Sequence, residues 1–168
     1  MTETRIRHEF DCDEDTFWAT FFDAEYTRRL FLEGLGFERF TLVSLDEKPD
    51  RIERVSDVVP KLGDLPGPLK KLAEGGAGYR ERATFDRATR RMKTAIEPQS
   101  LRDKLFISGV QWTEALGPGR CRRVYDLKVE AKVFGLGSLI EGRITADVQK
   151  SYDQAAVFTA RWLTDHPR

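Results

Sequence analysis

Between Cys121 and Val133, apolar and polar side chains alternate almost without interruption. Tyr125, Leu127, Val129, Ala131 and Val133 fall on one side, Arg122, Asp126, Lys128, Glu130 and Lys132 on the other. A period of two gives a strand with one dry and one wet face. Parallel strands are buried on both faces and read as continuous apolar runs, so this pattern predicts an antiparallel sheet whose inner face needs a cover. The period then changes. From Ser138 to Arg168 the chain reads as one amphipathic helix, with Leu136, Ile140, Ile144, Val148, Ala155, Thr159 and Trp162 at three- and four-residue steps along a single stripe. Gly135 and Gly137 interrupt the strand, and Ser138 with Glu141 three residues on fits a capping box. A helix running to about Thr164 would be ~40 Å long, enough to cross the sheet. Its stripe narrows at Ala155, Ala156 and Thr159, leaving either close packing or unfilled space above the strands.

The rest of the chain divides in the same way. Residues Thr4 to Phe10 alternate, with Ile6, His8 and Phe10 facing inward. Asp13 and Asp23 are good N-caps for two short helices, the first carrying Phe17, Trp18, Phe21 and Phe22, the second ending near Gly34. Strands are predicted at about 37–45, 51–59, 78–85, 91–97, 104–115 and 120–133, with turns at Lys48-Pro49-Asp50, at 86–89 and at Gly117-Pro118-Gly119. Residues 61–78 are the least sheet-like, with Pro66, Pro68 and the series Leu62, Leu65, Leu69 and Leu72. A helical turn or two is expected there, in a loop that closes the open end of the sheet, in a mobile lid over the pocket mouth, or in a segment that makes a weak, transient contact with a membrane surface. Lys70 and Lys71 are too few for stable membrane binding.

Composition narrows the function classes. A length of 168 residues with 40% hydrophobic content suits a single domain over 1–168. The 28 basic and 28 acidic residues cancel, so no overall field draws in nucleic acid, and the arginine clusters at Arg28 and Arg29, Arg90 and Arg91, and Arg120 to Arg123 read as solvated turns and outer faces. The first ten residues lack the apolar core of a signal peptide and no run is long enough to span a membrane, which predicts a cytoplasmic protein with Cys12 and Cys121 as free thiols. There is no Gly-rich phosphate loop and no nucleophile elbow, and His8 with Cys12 is too sparse a set for zinc. No cofactor and no metal are expected, and no catalytic residue can be assigned.

The order β-α-α-β6-α resembles the helix-grip fold of the START, or SRPBCC, superfamily, which includes lipid-transfer proteins and polyketide cyclases. The segments His8-Glu9-Phe10, Phe17-Trp18 to Phe21-Phe22-Asp23, Leu32 to Phe37, Gly119 to Arg123, and Phe134-Gly135-Leu136-Gly137 with Leu139-Ile140-Glu141 look like a bacterial group of uncharacterised SRPBCC-like proteins. The resemblance implies an α+β fold: a seven-stranded curved antiparallel sheet around a long C-terminal helix, with two short helices between strands 1 and 2. It also implies a cavity between sheet and helix, whose walls are proposed from side-chain alternation. The candidate ligand-binding residues are His8, Phe10, Tyr79, Glu81, Phe85, Trp112, Tyr125, Leu127, Val129, Ile144, Val148 and Tyr152, with Val43 a further wall position.

Polar residues on inward positions stand out among these. His8 is either a satisfied core imidazole or a pocket acid or base. Glu81 shares a face with Tyr79, Ala83 and Phe85, and Arg54 and Arg123 also fall in register with apolar neighbours. An unpaired charge there is costly, so either Glu81 pairs with an arginine inside the sheet or a bulge turns these residues outward, the bulge being the cheaper solution. Three functions fit: a carrier or sensor of a lipid, polyketide or similar molecule, a cofactor-independent cyclase or dehydratase, or an interaction module with a filled core whose protein partner is unknown.

Overall fold

Residues 1–168 are all described by the computed structural model, and the alternating segments pair into one sheet. The elements are β1 (Thr2–Phe10), α1 (Glu14–Phe21), α2 (Ala24–Arg29), β2 (Arg39–Glu47), β3 (Arg51–Val59), α3 (Gly67–Ala73), β4 (Tyr79–Asp86), β5 (Arg91–Pro98), β6 (Leu105–Gly117), β7 (Arg120–Ala131) and α4 (Gly137–Asp165). The strand order is β1-β7-β6-β5-β4-β3-β2, antiparallel throughout. Consecutive strands therefore meander from β2 to β7, while α1 and α2 carry the chain from β1 on one edge to β2 on the other. This is the seven-stranded helix-grip arrangement.

Both short helices begin where their caps require. The Asp13 carboxylate accepts from the Thr16 amide at 2.8 Å, and Asp23 accepts from the Tyr26 amide at 2.8 Å. Each satisfies an amide that has no partner within its helix. After α2 the backbone widens into a π-helical turn, Leu30–Gly34. Gly34 sits where a Cβ would come within 2.9 Å of the Phe158 ring on α4, so the missing side chain is what lets this turn approach the long helix.

Two expectations change. The start of α4 has no side-chain cap, Leu136 occupying the N-cap position. Glu141 instead points at the sheet, accepting from the Ala131 amide at 3.0 Å and from Thr2 Oγ1 at 2.8 Å. The amide of a buried strand end is the more demanding partner, because water cannot replace a lost bond there. In β2 a bulge between Leu42 and Ser44 turns Val43 outward to 47% exposure, so it is not a wall residue.

The inner face of the sheet is covered in two different ways. Under α1 it meets an aromatic core of Phe10, Phe17, Trp18, Phe22, Phe85 and Met92, with Trp18 and Phe85 ring centroids 4.4 Å apart. Each such side chain contributes about 1.5–3 kcal/mol by leaving water. Under α4 a second cluster gathers Ile6, Leu105, Tyr125, Leu127, Val129 and Ile140, reached from the far side by Leu69 of α3. No helix is long and apolar enough to cross a membrane.

Candidate functional site

The half of the inner face that α1 does not fill borders a cavity of about 660 Å³, walled by the sheet, α2, α3 and α4. Along α4 the lining runs from Ile140 to Ala155, a rise of roughly 22 Å at 1.5 Å per residue. The two ends differ in chemistry. Leu69, Leu72, Leu101, Leu105, Ile107 and Ile140 make one end apolar. Toward α2 the lining includes Arg54, Glu81, Gln111, Arg123, Tyr125 and Tyr152.

Arg54 is held by three kinds of contact. Its Nη2 donates to Glu81 Oε1 at 3.2 Å and its Nη1 to the Phe21 carbonyl at 3.3 Å, while the guanidinium lies 4.7 Å over the Phe21 ring. The β3–β4 register is unbroken here, so the charges are paired inside the sheet and no bulge turns them out. The reason is visible in the contacts: the carboxylate and the aromatic faces of α1 together offset the desolvation that made a bulge look cheaper.

Arg123 has no such carboxylate. Its Nη2 donates to His8 Nδ1 at 2.9 Å and to the Tyr152 carbonyl at 3.2 Å, and its charge stacks 4.6 Å over the Tyr152 ring. Arginine can only donate, so His8 Nδ1 must accept; the imidazole proton then sits on Nε2, which donates to Asp153 Oδ1 at 2.7 Å. Burial and the Arg123 charge hold the His8 pKa below its ordinary value, against the opposing pull of Asp153. His8 is therefore a neutral bridge between β7 and α4.

The tyrosines form the roof and floor. Tyr125 and Tyr152 stack with centroids 4.6 Å apart and planes at 5°, and their hydroxyls reach Thr94 Oγ1 at 3.3 Å and Gln111 Oε1 at 3.5 Å. Burial pushes the Tyr125 phenol up to about 12 and raises Tyr79 and Tyr152 as well. Phenols raised this far stay protonated and cannot serve as bases near neutral pH. Three buried polar atoms of the lining residues have no partner: Nε of Arg54, Nε of Arg123 and Nε2 of Gln111.

Seven of the residues proposed from alternation border the cavity: Tyr79, Glu81, Tyr125, Leu127, Ile144, Val148 and Tyr152. The other five do not. Phe10 and Phe85 belong to the aromatic core because α1 docks on their end of the sheet. Val129 is wholly enclosed among its neighbours, and His8 lies behind Arg123 at the seam between β1 and α4. Trp112 is on the outer face, between the guanidinium groups of Arg5 and Arg91 at 5.4 and 4.5 Å. Gln111 and Gly109 take the inward positions of β6, so Trp112 must point out. Arg54, Arg123, Gln111 and the α3 leucines are cavity residues that the alternation argument left out of its wall. Inward parity could have found the first three.

The match to known folds is extensive. A Streptomyces structure of Zhui aromatase/cyclase superimposes with a TM-score of 0.68 at 13% identity, covering 99% of this chain and 96% of that one. Norcoclaurine synthase from Thalictrum flavum, in complex with dopamine and hydroxybenzaldehyde, gives 0.66 at 16% identity, covering 99% and 90%. A START superfamily protein from Mycobacterium smegmatis gives 0.60 at 13% identity, covering 96% and 98%. At these identities the likeness concerns the fold, which hosts many functions. No curated protein matches the chain in sequence. Residues 5–163 match the family model described as "Protein of unknown function (DUF2505)", so nearly the whole chain is accounted for, and it belongs to the DUF2505 family, built on a START/SRPBCC-type helix-grip fold.

Proposed function

We propose that this protein binds a small hydrophobic or amphipathic molecule between the sheet and α4, as a carrier or sensor. One observation carries the reading: a cavity of about 660 Å³ remains in a domain whose other half is closely filled by aromatic side chains. That volume lies within the range of roughly 300–1,000 Å³ usual for small-molecule sites, and its mixture of apolar wall and few polar groups is the usual one. The contacts are assigned to Tyr79, Tyr125, Leu127, Ile144, Val148 and Tyr152, with Glu81 beside Arg54. Residues 61–78 form the remaining wall through Leu65, Leu69 and Leu72, and this segment is the one that moves to admit a ligand.

An open interior argues against the filled-core interaction module. The carrier also ranks ahead of a cyclase or dehydratase, since the phenols of Tyr79 and Tyr125 stay protonated, His8 does not border the cavity, and the remaining candidate, Glu81, is paired with Arg54. Binding of the neutral fluorescent probe N-phenylnaphthylamine tests the reading. The native protein is expected to bind it, and Ile144→Trp, which fills the cavity from α4, to weaken it at least tenfold without lowering the melting temperature. Equal probe binding by the native and Ile144→Trp proteins would place the probe elsewhere and remove the proposal.

A further inference from the structure

The proposed cavity site has a charge that the chain leaves uncompensated. Of the charged residues that line it, Lys61 and Lys150 are exposed and Arg143 is paired with Asp147 where solvent reaches both, whereas three lie inside: the guanidinium groups of Arg54 and Arg123, each about 95% buried, and the Glu81 carboxylate, 19% exposed. Glu81 is committed to Arg54 at 3.2 Å. Arg123 has no carboxylate within ion-pair distance; the nearest acid along its chain of bonds, Asp153, is tied to His8, stands on the outer side of α4 and is 57% exposed. One positive charge therefore remains in the interior. Burying a guanidinium without a counter-charge is costly, and the aromatic faces of Tyr152 and Phe10 recover only part of that cost.

The donors agree with the charge. Nε of Arg123 and Nε of Arg54 are buried and have no acceptor, and so is Nε2 of Gln111. Both guanidinium groups act on the same buried neighbour, Tyr26, pulling its phenol pKa down against the rise that desolvation causes. Arg54 lies 4.7 Å over Phe21 and Arg123 5.4 Å over Phe10, and both rings pack on Phe17, so both guanidinium groups stand at the aromatic end of the cavity, opposite the leucines of α3. A cavity with paired arginine donors at one end and a leucine-lined wall at the other is complementary to an acid with a hydrocarbon tail.

We infer that the ligand is an anionic amphiphile, a long-chain carboxylic acid, whose head group lies against Arg123 and Arg54 and whose tail runs along α4 toward Leu69 and Ile140. This inference rests on the cavity being a ligand site. A monoanion is favoured over a phosphate dianion because it cancels the one buried charge that has no partner, whereas a dianion would leave a negative charge unpaired beside Arg123. Arginine presents donors in a planar fork that a carboxylate matches.

The test is displacement of N-phenylnaphthylamine by four competitors of equal chain length: the fatty acid, its alcohol, its methyl ester and the alkyl phosphate. The acid is expected to displace the probe at least tenfold more tightly than the alcohol or ester, and more tightly than the phosphate. Arg123→Met is expected to bring acid and alcohol to within about threefold, while Arg123→Lys keeps part of the preference; circular dichroism establishes that each variant is folded. The native comparison needs no variant, so a misfolded Arg123→Met leaves the test intact. Equal displacement by acid and alcohol overturns the head-group assignment and leaves the cavity reading standing. A tighter phosphate overturns the carboxylate assignment. Absence of displacement by any of the four overturns this inference, while the proposed function stands or falls on the comparison of native and Ile144→Trp probe binding.

Discussion

Gly109 offers a direct test of how the cavity wall is built. It lies in β6 opposite Leu127, and a Cβ added there would overlap the edge of the Tyr125 ring. That ring is not free to yield, because it is stacked on Tyr152 at 4.6 Å and its hydroxyl lies by Thr94. Gly109→Ala therefore forces either the tyrosine or the strand to shift, an overpacking cost of about 1–3 kcal/mol. The backbone here is not in the left-handed region, so no conformational strain is added. Alanine even restricts the unfolded chain, which returns about 0.4–1 kcal/mol. The clash wins, and the net loss should be ~1–2 kcal/mol. For a chain of this size that corresponds to a melting temperature lower by roughly 2–8 °C. The assay is a double-mutant cycle by thermal unfolding, with Tyr125→Leu as the second site. In the Tyr125→Leu background the ring is gone, and Gly109→Ala should be neutral or slightly stabilising, a coupling of about 1 kcal/mol or more. An equal loss in both backgrounds would refute the argument that Gly109 is kept small by Tyr125.

Two further outcomes follow from the polar contacts. Glu81→Gln leaves Arg54 without its carboxylate; breaking a fully enclosed pair costs about 3–5 kcal/mol, and because Glu81 borders the cavity and keeps partial exposure, a loss of roughly 1–3 kcal/mol is expected in chemical denaturation, an unchanged midpoint counting against an internal pair. The His8 pKa is depressed, so the folded state resists protonation: stability is full above the unfolded-state value near about 6.5 and falls as pH drops below it, a loss that His8→Gln should flatten in melting curves, whereas carboxylate protonation acts at lower pH.

Much of the fold is written in periodicity. The alternation of Tyr125 to Ala131 gives β7 its faces, and Asp13 and Asp23 mark their helices to the residue, because a cap is a local contact. What the pattern missed depends on distant partners. Ser138 and Glu141 have the spacing of a capping box, yet Glu141 is drawn to the Ala131 amide, which sequence does not place nearby. Alternation was taken to put Trp112 on the inner wall, but Gln111 holds the inward position and Trp112 lies outside, where two arginines cover its faces. Val43 was lost to a bulge that no residue type announces.

The site was half legible for a related reason. Alternation says which side chains face inward, and it was right that Phe10, Phe85, Tyr79 and Tyr125 all do. It does not say what lies opposite. Phe10 and Phe85 sit at the end of the sheet where α1 delivers Phe17, Trp18 and Phe22, so those inward positions become solid core. Tyr79 and Tyr125 sit where the opposing surface is α4 and the α3 segment, whose one aromatic in the lining, Tyr152, is stacked on Tyr125 and leaves the rest of the gap open. The difference between core and cavity is thus set by which helix packs over each half of the same face. The arginines mark that boundary. Arg54 and Arg123 lean on the rings of Phe21 and Tyr152, the last aromatic support before the open space, with part of their hydrogen-bonding capacity still unspent. A domain selected only for stability would gain by replacing two such buried cations with leucine or methionine, since apolar packing usually equals or exceeds a buried ion pair. Their position at the edge of the cavity is accounted for if the missing counter-charge arrives with the ligand.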